Sequence, residues 1–486
     1  MDERRPPPSA EVDESRALCV DLDGTLVSVD TLHESLLKLV RTDPTALLRL
    51  PGWVSAGRAQ LKQQVASRAA TDASRLPYRE DVVAFLRREK ARGRRIVLAT
   101  ASDERTANAV AEHLGLFDDV IASNGVDNLK GARKLAAIRE RLSGAAFDYV
   151  GDSQADLPVW EAASRREVVA PSAALSRRLA HELPDHHVLV PKGGSRARAL
   201  LRALRPVQWS KNLLLFVPML TSHRFMDGAR IGTVCLAFVA FCLVASAGYV
   251  LNDLLDLEAD RRHPTKRLRP FAAGRLSAAT GCVTFAVLLS ACCVLALACL
   301  PGSCSLALVL YLATTLCYSF YFKSKLLVDV IILAGLYTLR VLAGGMAADI
   351  RVSEWLLAFA MFMFLSLAVA KRYAELRSVT DPSVSKLVRR GYRVEDTDLV
   401  LMTGMTSGFL SVLVFSLYIN SSEVELIYER KELLWFASPV ILYWILRIWF
   451  LARRGELPDD PVAFAMRDRN SILAAVIVLL IVAVSV

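Results

Sequence analysis

The chain changes character near residue 205, and this change constrains its fold more than any single motif. Residues 1–205 mix charged and apolar residues as soluble domains do, whereas the rest alternates long apolar runs with short charged loops. A helix needs about 18 to 20 apolar residues to cross a bilayer, and Ala278–Leu300 and Leu326–Ala347 are long enough. The sequence therefore predicts a soluble N-terminal domain followed by a polytopic membrane domain.

The net charge of +10 at pH 7 does not indicate a nucleic-acid partner, because the basic residues lie beside apolar spans. Lys and Arg in such loops mark the cytoplasmic side of a membrane. We therefore predict an integral protein of the cytoplasmic (inner) membrane, with its N-terminus and soluble domain in the cytoplasm. About nine spans are predicted, near 212–226, 231–252, 278–300, 304–321, 326–347, 354–372, 401–419, 433–452 and 470–486.

The domain boundaries are predicted from composition. Residues 1–16 are charged and Pro-rich and lack the apolar stretch of a signal peptide, so they are predicted to be a disordered tail. The soluble domain is predicted over 17–190. A basic, Gly-containing linker is predicted over 191–204, and the membrane domain over 205–486.

A short apolar run at Ala17–Val20 is followed by the segment Asp21-Leu22-Asp23-Gly24-Thr25. Strand residues alternate faces, so Asp21 and Asp23 point the same way at the end of a strand. Open α/β sheets bind ligands at that end. Adjacent carboxylates repel each other unless a cation joins them. One of them can then attack phosphorus while the other handles the leaving group's proton.

Three further segments follow in order. Thr100 ends a second apolar strand, Lys130 precedes a predicted helix, and Asp152 ends a third strand with Asp156 one turn later. Together the four segments resemble the motifs of the haloacid dehalogenase (HAD) superfamily over residues 17–185. The resemblance implies an α/β, Rossmann-like domain with a helical cap between Val27 and Pro77.

The HAD resemblance also implies residue roles. Asp21 would be the nucleophile that forms an aspartyl-phosphate, and Asp23 the general acid and base. Thr100 and Lys130 would hold the phosphoryl oxygens, with Ser102 as an alternative to Thr100. Mg²⁺ would be held by Asp21, Asp152 and Asp156. A degenerate HAD fold that serves only as a docking module is the alternative.

The second predicted span ends in an acidic segment, Asn252–Asp260. Spacings of three and four residues place Asp253, Asp256 and Asp260 on one helical face. Carboxylates at a membrane edge are costly unless they face a polar cavity, and Mg²⁺ would bridge them to phosphates. The segment predicts a diphosphate site, although an ordinary charged loop beside a membrane is the alternative. The basic residues that follow it and could bind phosphate are Lys266, Arg267 and Arg269.

Residues 200–486 resemble the UbiA superfamily of intramembrane transferases, which implies an all-α membrane fold. Four segments are similar to the decaprenyl-phosphate phosphoribosyltransferase family within it, namely Arg205–Asn212, His263–Arg267, Lys371–Leu376 and Asp459–Ala465. UbiA enzymes that act on aromatic acceptors usually carry a second DxxxD motif after the sixth span. Here that region holds only Lys371, Arg372, Tyr373 and Glu375, which argues against prenyl transfer to an aromatic ring.

The UbiA resemblance implies 5-phosphoribosyl-1-diphosphate as donor, a polyprenyl phosphate as acceptor, and Mg²⁺ on Asp253, Asp256 and Asp260. The HAD domain would then hydrolyse a phosphate monoester, such as the 5-phosphate of the lipid product. An aromatic prenyltransferase, a membrane-anchored phosphatase and a non-enzymatic scaffold stay open as alternatives. Arg340, inside a span, is either functional or part of an internal ion pair. The sequence does not determine lipid length or oligomeric state. The substrate-binding residues implied for the transferase are Lys211, Asn252, Lys266, Arg267, Arg269, Lys371, Arg372 and Glu375.

Overall fold

The computed structural model of the protein describes residues 15–69, 71–191, 193–222, 227–377, 391–425, 428–458 and 460–486. The chain forms two compact units. The first comprises Met1–Ala203 with Val250–Val283, and the second comprises Leu204–Tyr249 with Thr284–Val486. The acidic segment that the sequence singles out therefore groups with the soluble part. Most of the predicted N-terminal tail lies outside the described residues, and the predicted domain boundaries stay predictions.

A six-stranded parallel sheet forms the centre of the first unit. Its strand order is β3-β2-β1-β4-β5-β6, so the order reverses between β1 and β4. Ligands bind at such a reversal, beyond the carboxyl ends of the strands. The strands are β1 (Ala17–Val20), β2 (Ile96–Asp103), β3 (Asp119–Ser123), β4 (Phe147–Gly151), β5 (Arg166–Val169) and β6 (His187–Val190).

The central strand β1 is buried on both faces, which is why it is continuously apolar. Leu18 and Val20 of β1 belong to one hydrophobic cluster, whereas Ala17 and Cys19 belong to another. This alternation confirms the predicted α/β fold. The helices of the first unit's N-terminal part are α1 (Thr31–Thr42), α2 (Leu50–Ser55), α3 (Arg58–Arg68), α4 (Glu80–Ala91), α5 (Glu104–Leu114), α6 (Ala132–Arg141), α7 (Leu157–Ala162), α8 (Ala173–Glu182) and α9 (Arg196–Leu204).

Helices α1 to α3 form the predicted cap, inserted after β1. An antiparallel bridge between Val27 and Tyr78 closes the base of the insertion. Asp30 starts α1, because its carboxylate accepts hydrogen bonds from the backbone of Leu32 and His33. The cap has its own small apolar core, formed by Leu39, Ala46, Val65 and Ala69.

The rest of the chain is helical. Among the described residues, seven helices are long and apolar enough to cross a membrane, so the protein is an integral membrane protein, although about nine such helices are not confirmed. The elements are α10 (Val217–Thr221), α11 (Gly228–Leu255), α12 (Leu257–Arg262), α13 (Ala278–Cys299), α14 (Gly302–Phe320), α15 (Val328–Ala348), α16 (Glu354–Arg377), α17 (Thr397–Ile419), α18 (Ser422–Glu425), α19 (Ala437–Arg454), α20 (Pro461–Ala465) and α21 (Arg469–Ser485).

The two predicted spans that differ lie near the ends of the membrane part. Within the region predicted as a span at 212–226, the described residues form the end of a 3₁₀ helix, Pro206–Phe216, and the five-residue α10, which has Pro218 in its first turn. The last predicted span forms α21, which has 17 residues. Both segments are apolar, and neither is among the seven helices counted above.

Helix α15 lies at the centre of the second unit. Leu336 and Ala343 pack in the cluster formed with α11 and α14, whereas Ala334 and Val341 pack in the cluster formed with α16, α17 and α19. Small residues along α15 allow neighbouring helices to approach closely. Because α15 is packed on both sides, its one arginine, Arg340, is buried.

We expect Asp148→Ala to destabilise the first unit. Asp148 accepts hydrogen bonds from the buried guanidinium of Arg94 and from the backbone N–H of Arg165. Removing one partner of a buried ion pair costs about 3 kcal/mol or more, and the apparent melting temperature should fall by roughly 6 °C or more. Calorimetry of the detergent-solubilised full chain measures this change. Asp185→Ala, at an exposed position, is the control, and an equally small shift in both variants would contradict the expectation.

Candidate active sites

Asp21 and Asp23 lie at the carboxyl end of β1, as predicted. The Oδ1 atom of Asp21 accepts a hydrogen bond of 2.8 Å from the backbone of Leu22. The Oδ1 atom of Asp23 accepts one of 2.8 Å from the backbone of Thr31, at the start of α1. The hydroxyl of Ser102 donates to Oδ2 of Asp23. Asp23 therefore connects the strand loop of the sheet with the first helix of the cap.

Asp152 and Asp156 follow β4, the neighbour of β1. Ser153 and Asp156 form a capping box that starts the turn into α7, which fixes the position of Asp156. Thr25 donates a hydrogen bond of 3.2 Å to Asp152. Gly24 has φ +78°, and a Cβ atom there would lie 2.1 Å from Oδ2 of Asp152. Glycine is needed at this position because only it allows both the backbone conformation and this close approach.

Asp21, Asp152 and Asp156 bring three carboxylate oxygens within 4.8 Å of one another. Burial, together with the charge of Asp156, raises the pKa of Asp21 to about 7 against the opposing effect of Lys134. Burial and the charges of Asp21 and Asp156 raise the pKa of Asp152 to about 8. Clustered oxygen ligands that are costly to ionise fit a hard divalent cation such as Mg²⁺. The three residues predicted as metal ligands are thus brought together.

Lys134, which the sequence reasoning missed, neutralises this cluster. Its Nζ atom lies 2.9 Å from Oδ2 of Asp21 and 3.0 Å from Oδ1 of Asp156, and donates a hydrogen bond of 2.8 Å to the hydroxyl of Tyr149. Burial alone would lower the pKa of Lys134, but the two carboxylates raise it. The charge of Lys134 and the hydroxyl of Tyr149 in turn lower the pKa of Asp156, although burial would raise it.

Lys130, which the HAD resemblance implies as a residue that holds the phosphoryl oxygens, is exposed. Lys134 lies in the first turn of α6 and one turn before Ile138, which is fully buried. Residues four apart share a helix face, so this pairing with an apolar residue was the signal that could have identified Lys134.

Thr100 and Ser102 occupy different positions in the site. Thr100 is buried, and its hydroxyl oxygen accepts a hydrogen bond of 3.0 Å from the backbone of Ser102. Ser102 contacts Asp23 directly. Lys62 of α3 reaches the same region and donates 2.9 Å to Oδ1 of Asn128. A small pocket lies here, lined from the cap by Thr31, Leu32, Ser35, Lys62 and Ala66 and from the sheet side by Ser102, Asp103 and Thr106.

The acidic segment and its return, residues 252–276, form what we call the carboxylate loop. Asp253 near the end of α11 and Asp260 in α12 are buried. The Nη1 atom of Arg269 lies 3.2 Å from Oδ1 of Asp253 and 2.6 Å from Oδ2 of Asp260. These two carboxylates therefore meet at one cationic group. Asp256 occupies the N-cap position of α12 without a capping hydrogen bond from its side chain, and it is half-buried.

The carboxylate loop differs from the first site in the distances between its carboxylate oxygens. Among the described residues, its three aspartates do not form a group as close as that of Asp21, Asp152 and Asp156. Mg²⁺ is commonly held by one or two carboxylates together with substrate phosphates, so Asp253 and Asp260 fit it with a diphosphate present. The other predicted residues of the loop are Asn252 and Lys266, which are half-buried, and Arg267, which is exposed.

In the second unit, Lys211 lies 2.5 Å from Oδ2 of Asp460, the N-cap of α20. Arg340 is held by neutral groups, since it donates 2.9 Å to Oδ1 of Asn212 and 2.7 Å each to the hydroxyl of Tyr311 and the carbonyl of Leu336. No ion pair of Arg340 is found in the part of the chain that the structure describes. The ion-pair alternative for Arg340 thus has no support there.

Arg372 of α16 is surrounded by acidic and hydroxyl groups. Its Nε atom donates 2.6 Å to Asp329, and its Nη1 atom donates 2.6 Å to Glu375. Asp329 also accepts 2.8 Å from the hydroxyl of Tyr392. Arg372 and Glu375, both predicted to bind substrate, therefore pair with each other, while the neighbouring Lys371 is half-buried.

Comparison with known proteins decides the family. The UbiA prenyltransferase family matches residues 215–472, and the haloacid dehalogenase-like hydrolase family matches residues 18–161. The chain belongs to the UbiA prenyltransferase family. Its UbiA half follows a HAD domain, as the sequence predicts.

Three relatives differ in how much of this chain they match. An uncharacterised protein of Sinorhizobium fredii, y4nM, is 38% identical over 94% of this chain and 89% of its own length. The nodulation protein NoeC of Azorhizobium caulinodans is 37% identical over 56% of this chain and 88% of its own length. A decaprenyl-phosphate phosphoribosyltransferase of Mycolicibacterium smegmatis is 31% identical over 56% of this chain and 86% of its own length. The similarity to the phosphoribosyltransferase lies in the UbiA half.

We expect the protein freed of metal by EDTA to lose stability as the pH rises through the range where Asp21 and Asp152 ionise. Their folded-state pKa values, about 7 and about 8, lie above those of unfolded carboxyls. The folded chain thus keeps protons that the unfolded chain has released, and stability falls between about pH 4 and pH 8. Thermal unfolding in EDTA across this range measures the fall.

Two additions make this pH test specific. Mg²⁺ should restore more stability at pH 8 than at pH 5, because the bound cation replaces the protons. Asp152→Asn removes one titrating carboxyl and should flatten the pH dependence. An Mg²⁺ effect that is equal at both pH values would contradict the assignment of these carboxylates.

Proposed function

We propose that the UbiA half transfers a phosphoribosyl group from 5-phosphoribosyl-1-diphosphate to a polyprenyl phosphate, and that the HAD half hydrolyses a phosphate monoester. The observation that carries the first part is the carboxylate loop, where Asp253 and Asp260 meet at Arg269. Its support is the similarity of the UbiA half to decaprenyl-phosphate phosphoribosyltransferases.

The donor's diphosphate would bind at the carboxylate loop. Asp253, Asp256 and Asp260 would hold Mg²⁺, with Asn252 orienting the donor. When bound, Mg²⁺ stabilises the negative charge that develops on the departing diphosphate. Arg269 would move from the carboxylates to the phosphates, which compete for its guanidinium. Lys266 and Arg267 of the same loop are proposed to contact the remaining phosphate oxygens. In the second unit, Lys211, Lys371, Arg372 and Glu375 stay predicted substrate-binding residues.

The acceptor needs no protein base, because its phosphate is ionised at neutral pH. A phosphate oxygen attacks the anomeric carbon as the bond to diphosphate breaks, and the sugar passes through an oxocarbenium-like transition state. Catalysis then rests on positioning and electrostatics. Arg340, which has only neutral partners among the described residues, is a further proposed donor for an anionic substrate group.

In the HAD half, we propose that Asp21 attacks phosphorus and forms an aspartyl-phosphate. Asp23 then protonates the leaving alcohol oxygen. Burial, reinforced by the charge of Asp30, raises the pKa of Asp23, which favours its protonated form before this step. In the second step Asp23, now ionised, takes a proton from the water that hydrolyses the aspartyl-phosphate.

The phosphoryl oxygens in this site would be held by Lys134 in place of Lys130, with Ser102 and Thr100. Lys134 is the stronger candidate because it is buried and lies 2.9 Å from the proposed nucleophile. Mg²⁺ would be held by Asp21, Asp152 and Asp156, whose oxygens converge. The cap residues beside Asp23, such as Thr31 and Ser35, would contact the alcohol part of the substrate.

The two reactions would be consecutive. Phosphoribosyl transfer yields a lipid whose ribose carries a 5-phosphate, and a phosphatase in the same chain meets that product at high effective concentration. The loops rich in Lys and Arg favour an orientation in the cytoplasmic membrane with the HAD domain inside the cell. We propose the 5-phosphate of the lipid product as the substrate of the HAD half.

We expect Lys134→Met to lower the hydrolysis of p-nitrophenyl phosphate by about 100-fold or more, whereas Lys130→Met changes it by less than about twofold. Lys134 compensates Asp21 and Asp156, and Lys130 is exposed. Lys134→Arg keeps the charge and should retain part of the activity if the protein stays folded. Equal losses in the two Met variants would contradict the assignment.

The decisive assay gives purified protein 5-phosphoribosyl-1-diphosphate labelled in its ribose, a polyprenyl phosphate and Mg²⁺. We expect a labelled lipid to form. Asp253→Asn should reduce its amount by at least about 100-fold, because the Mg²⁺ proposed to bind the diphosphate loses one of its carboxylate ligands. Asp21→Asn should leave transfer intact and cause the lipid to keep its 5-phosphate.

Each other result has a defined meaning. No labelled lipid, in a preparation that consumes a prenyl diphosphate, would favour an aromatic prenyltransferase. No transfer of either kind with intact phosphatase activity would favour a membrane-anchored phosphatase. A lipid whose phosphate state is the same in wild type and Asp21→Asn would reject the proposed substrate of the HAD half.

A further inference from the structure

Within the first unit, the cap lies against the carboxylate loop through a buried ion pair. The two Nη atoms of Arg261 donate to the two carboxylate oxygens of Glu34 in α1, the Nη1 contact being 2.7 Å long. The side chains are only 7% and 8% exposed. Arg261 also donates 3.1 Å to the carbonyl of Ala272 and 3.3 Å to that of Arg75. It therefore joins the cap to both arms of the loop.

Two more cap residues extend this contact along α1. The Nζ atom of Lys38 lies 3.1 Å from Oε1 of Glu258. Arg41 donates 3.1 Å to the carbonyl of Leu255 and lies 4.0 Å from Oδ1 of Asp256. Spacings of four and three residues place Glu34, Lys38 and Arg41 on one face of α1.

The order of these contacts shows that the two segments run antiparallel. Moving forward along α1, the partners move backward along the loop, from Arg261 through Glu258 to Leu255. The charges are complementary at each step, because acidic Glu34 meets basic Arg261 while basic Lys38 and Arg41 meet acidic residues of the loop. This pattern fixes the register of α12 against α1 and places Arg41 at the junction of α11 and α12, beside Asp256.

The return arm of the loop also touches the base of the cap. Gly274 has φ +66°, and a Cβ atom there would lie 1.9 Å from the hydroxyl oxygen of Ser28. Only glycine permits this approach. The cap therefore contacts the loop on both sides of Arg269, the residue that joins Asp253 and Asp260.

Helix α1 serves the phosphatase pocket as well. The backbone of Thr31 donates to Asp23, and Thr31, Leu32 and Ser35 line the pocket. Because Glu34, Lys38 and Arg41 contact the loop instead, one short helix takes part in the phosphatase site and in the support of the carboxylate loop.

We propose that Glu34, Lys38 and Arg41, three residues of the phosphatase cap, are positioning residues for the diphosphate site of the transferase. They hold α12 and the end of α11 so that Asp253, Asp256 and Asp260 keep their arrangement. A bidentate Arg–carboxylate pair fixes geometry better than a single contact. The inference rests on the proposed function, because it assigns the diphosphate of the donor to the carboxylate loop.

The test compares donor kinetics with phosphatase kinetics in the full-length protein. Glu34→Ala should raise the KM for 5-phosphoribosyl-1-diphosphate by about tenfold to 100-fold, because small displacements of binding groups carry losses of this order. Hydrolysis of p-nitrophenyl phosphate by the same variant should change by less than about threefold, since Asp21 and Lys134 are untouched. Glu112→Ala, on an exposed position of α5, is the matched control.

A charge exchange separates positioning from simple loss of stability. The double variant Glu34→Arg/Arg261→Glu rebuilds the pair in reverse and should recover the donor KM to within about fivefold of wild type, whereas each single reversal should not. Hydrogen–deuterium exchange offers a readout that needs no transferase activity. Amides of residues 257–276 should exchange faster in Glu34→Ala than in wild type or Glu112→Ala.

The outcomes distinguish this inference from the proposed function. If wild-type protein makes the labelled lipid but Glu34→Ala leaves both donor KM and loop exchange unchanged, the positioning role is wrong and the proposed function stands. If loop exchange rises but wild-type protein makes no labelled lipid, the proposed function is wrong, and with it the assignment of the loop to the donor. Faster loop exchange with a raised donor KM and a recovered double variant supports both.

Discussion

Carboxylates that are buried beside one another require a cation within a few ångströms, and this requirement organises both candidate sites. In the HAD domain Lys134 lies between Asp21 and Asp156, and in the carboxylate loop Arg269 lies between Asp253 and Asp260. Burial opposes the ionised state, so each group of carboxylates has a strong affinity for positive charge. The proposed Mg²⁺ would replace the basic residues at these carboxylates, which would leave the basic residues available to phosphate oxygens.

Two buried arginines of the second unit, Arg372 and Arg340, have opposite surroundings. Arg372 is paired with Asp329 and Glu375, so its charge is already compensated by carboxylates. Arg340 has amide, hydroxyl and carbonyl partners among the described residues, so its positive charge is oriented but is not compensated by any described carboxylate. A cation inside a membrane helix is costly, and an anionic ligand would reduce that cost. Arg372 stays a predicted substrate-binding residue, and the neutral partners of Arg340 among the described residues support its proposed role as a donor to an anionic substrate group.

Helix α1 connects the chemistry of the HAD domain with the carboxylate loop. Its first turn contacts Asp23, and its charged face contacts Arg261 and Glu258. The Sinorhizobium relative aligns over nearly the whole chain, whereas NoeC and the mycobacterial phosphoribosyltransferase align over little more than half of it. These two relatives align over 88% and 86% of their own length, and the cap contacts proposed as positioning contacts belong to the longer, two-part chain.

The sequence by itself determined the two-part architecture and the acidic motifs, because strand alternation, helical spacing and apolar length are local properties. The resemblance to the HAD superfamily implied Asp21, Asp152 and Asp156 as one group, and they converge because the parallel strands β1 and β4 end at a common edge. It named Lys130 and missed Lys134, and it left Ser102 as an alternative to Thr100, because these choices depend on which face of a helix or turn meets the sheet. About nine spans were predicted and seven are found among the described residues, since apolar composition does not reveal where a helix begins and ends. The pair of Glu34 and Arg261 joins residues 227 positions apart, and only the tertiary structure decides contacts of that range, because no local pattern specifies which of many charged residues will meet.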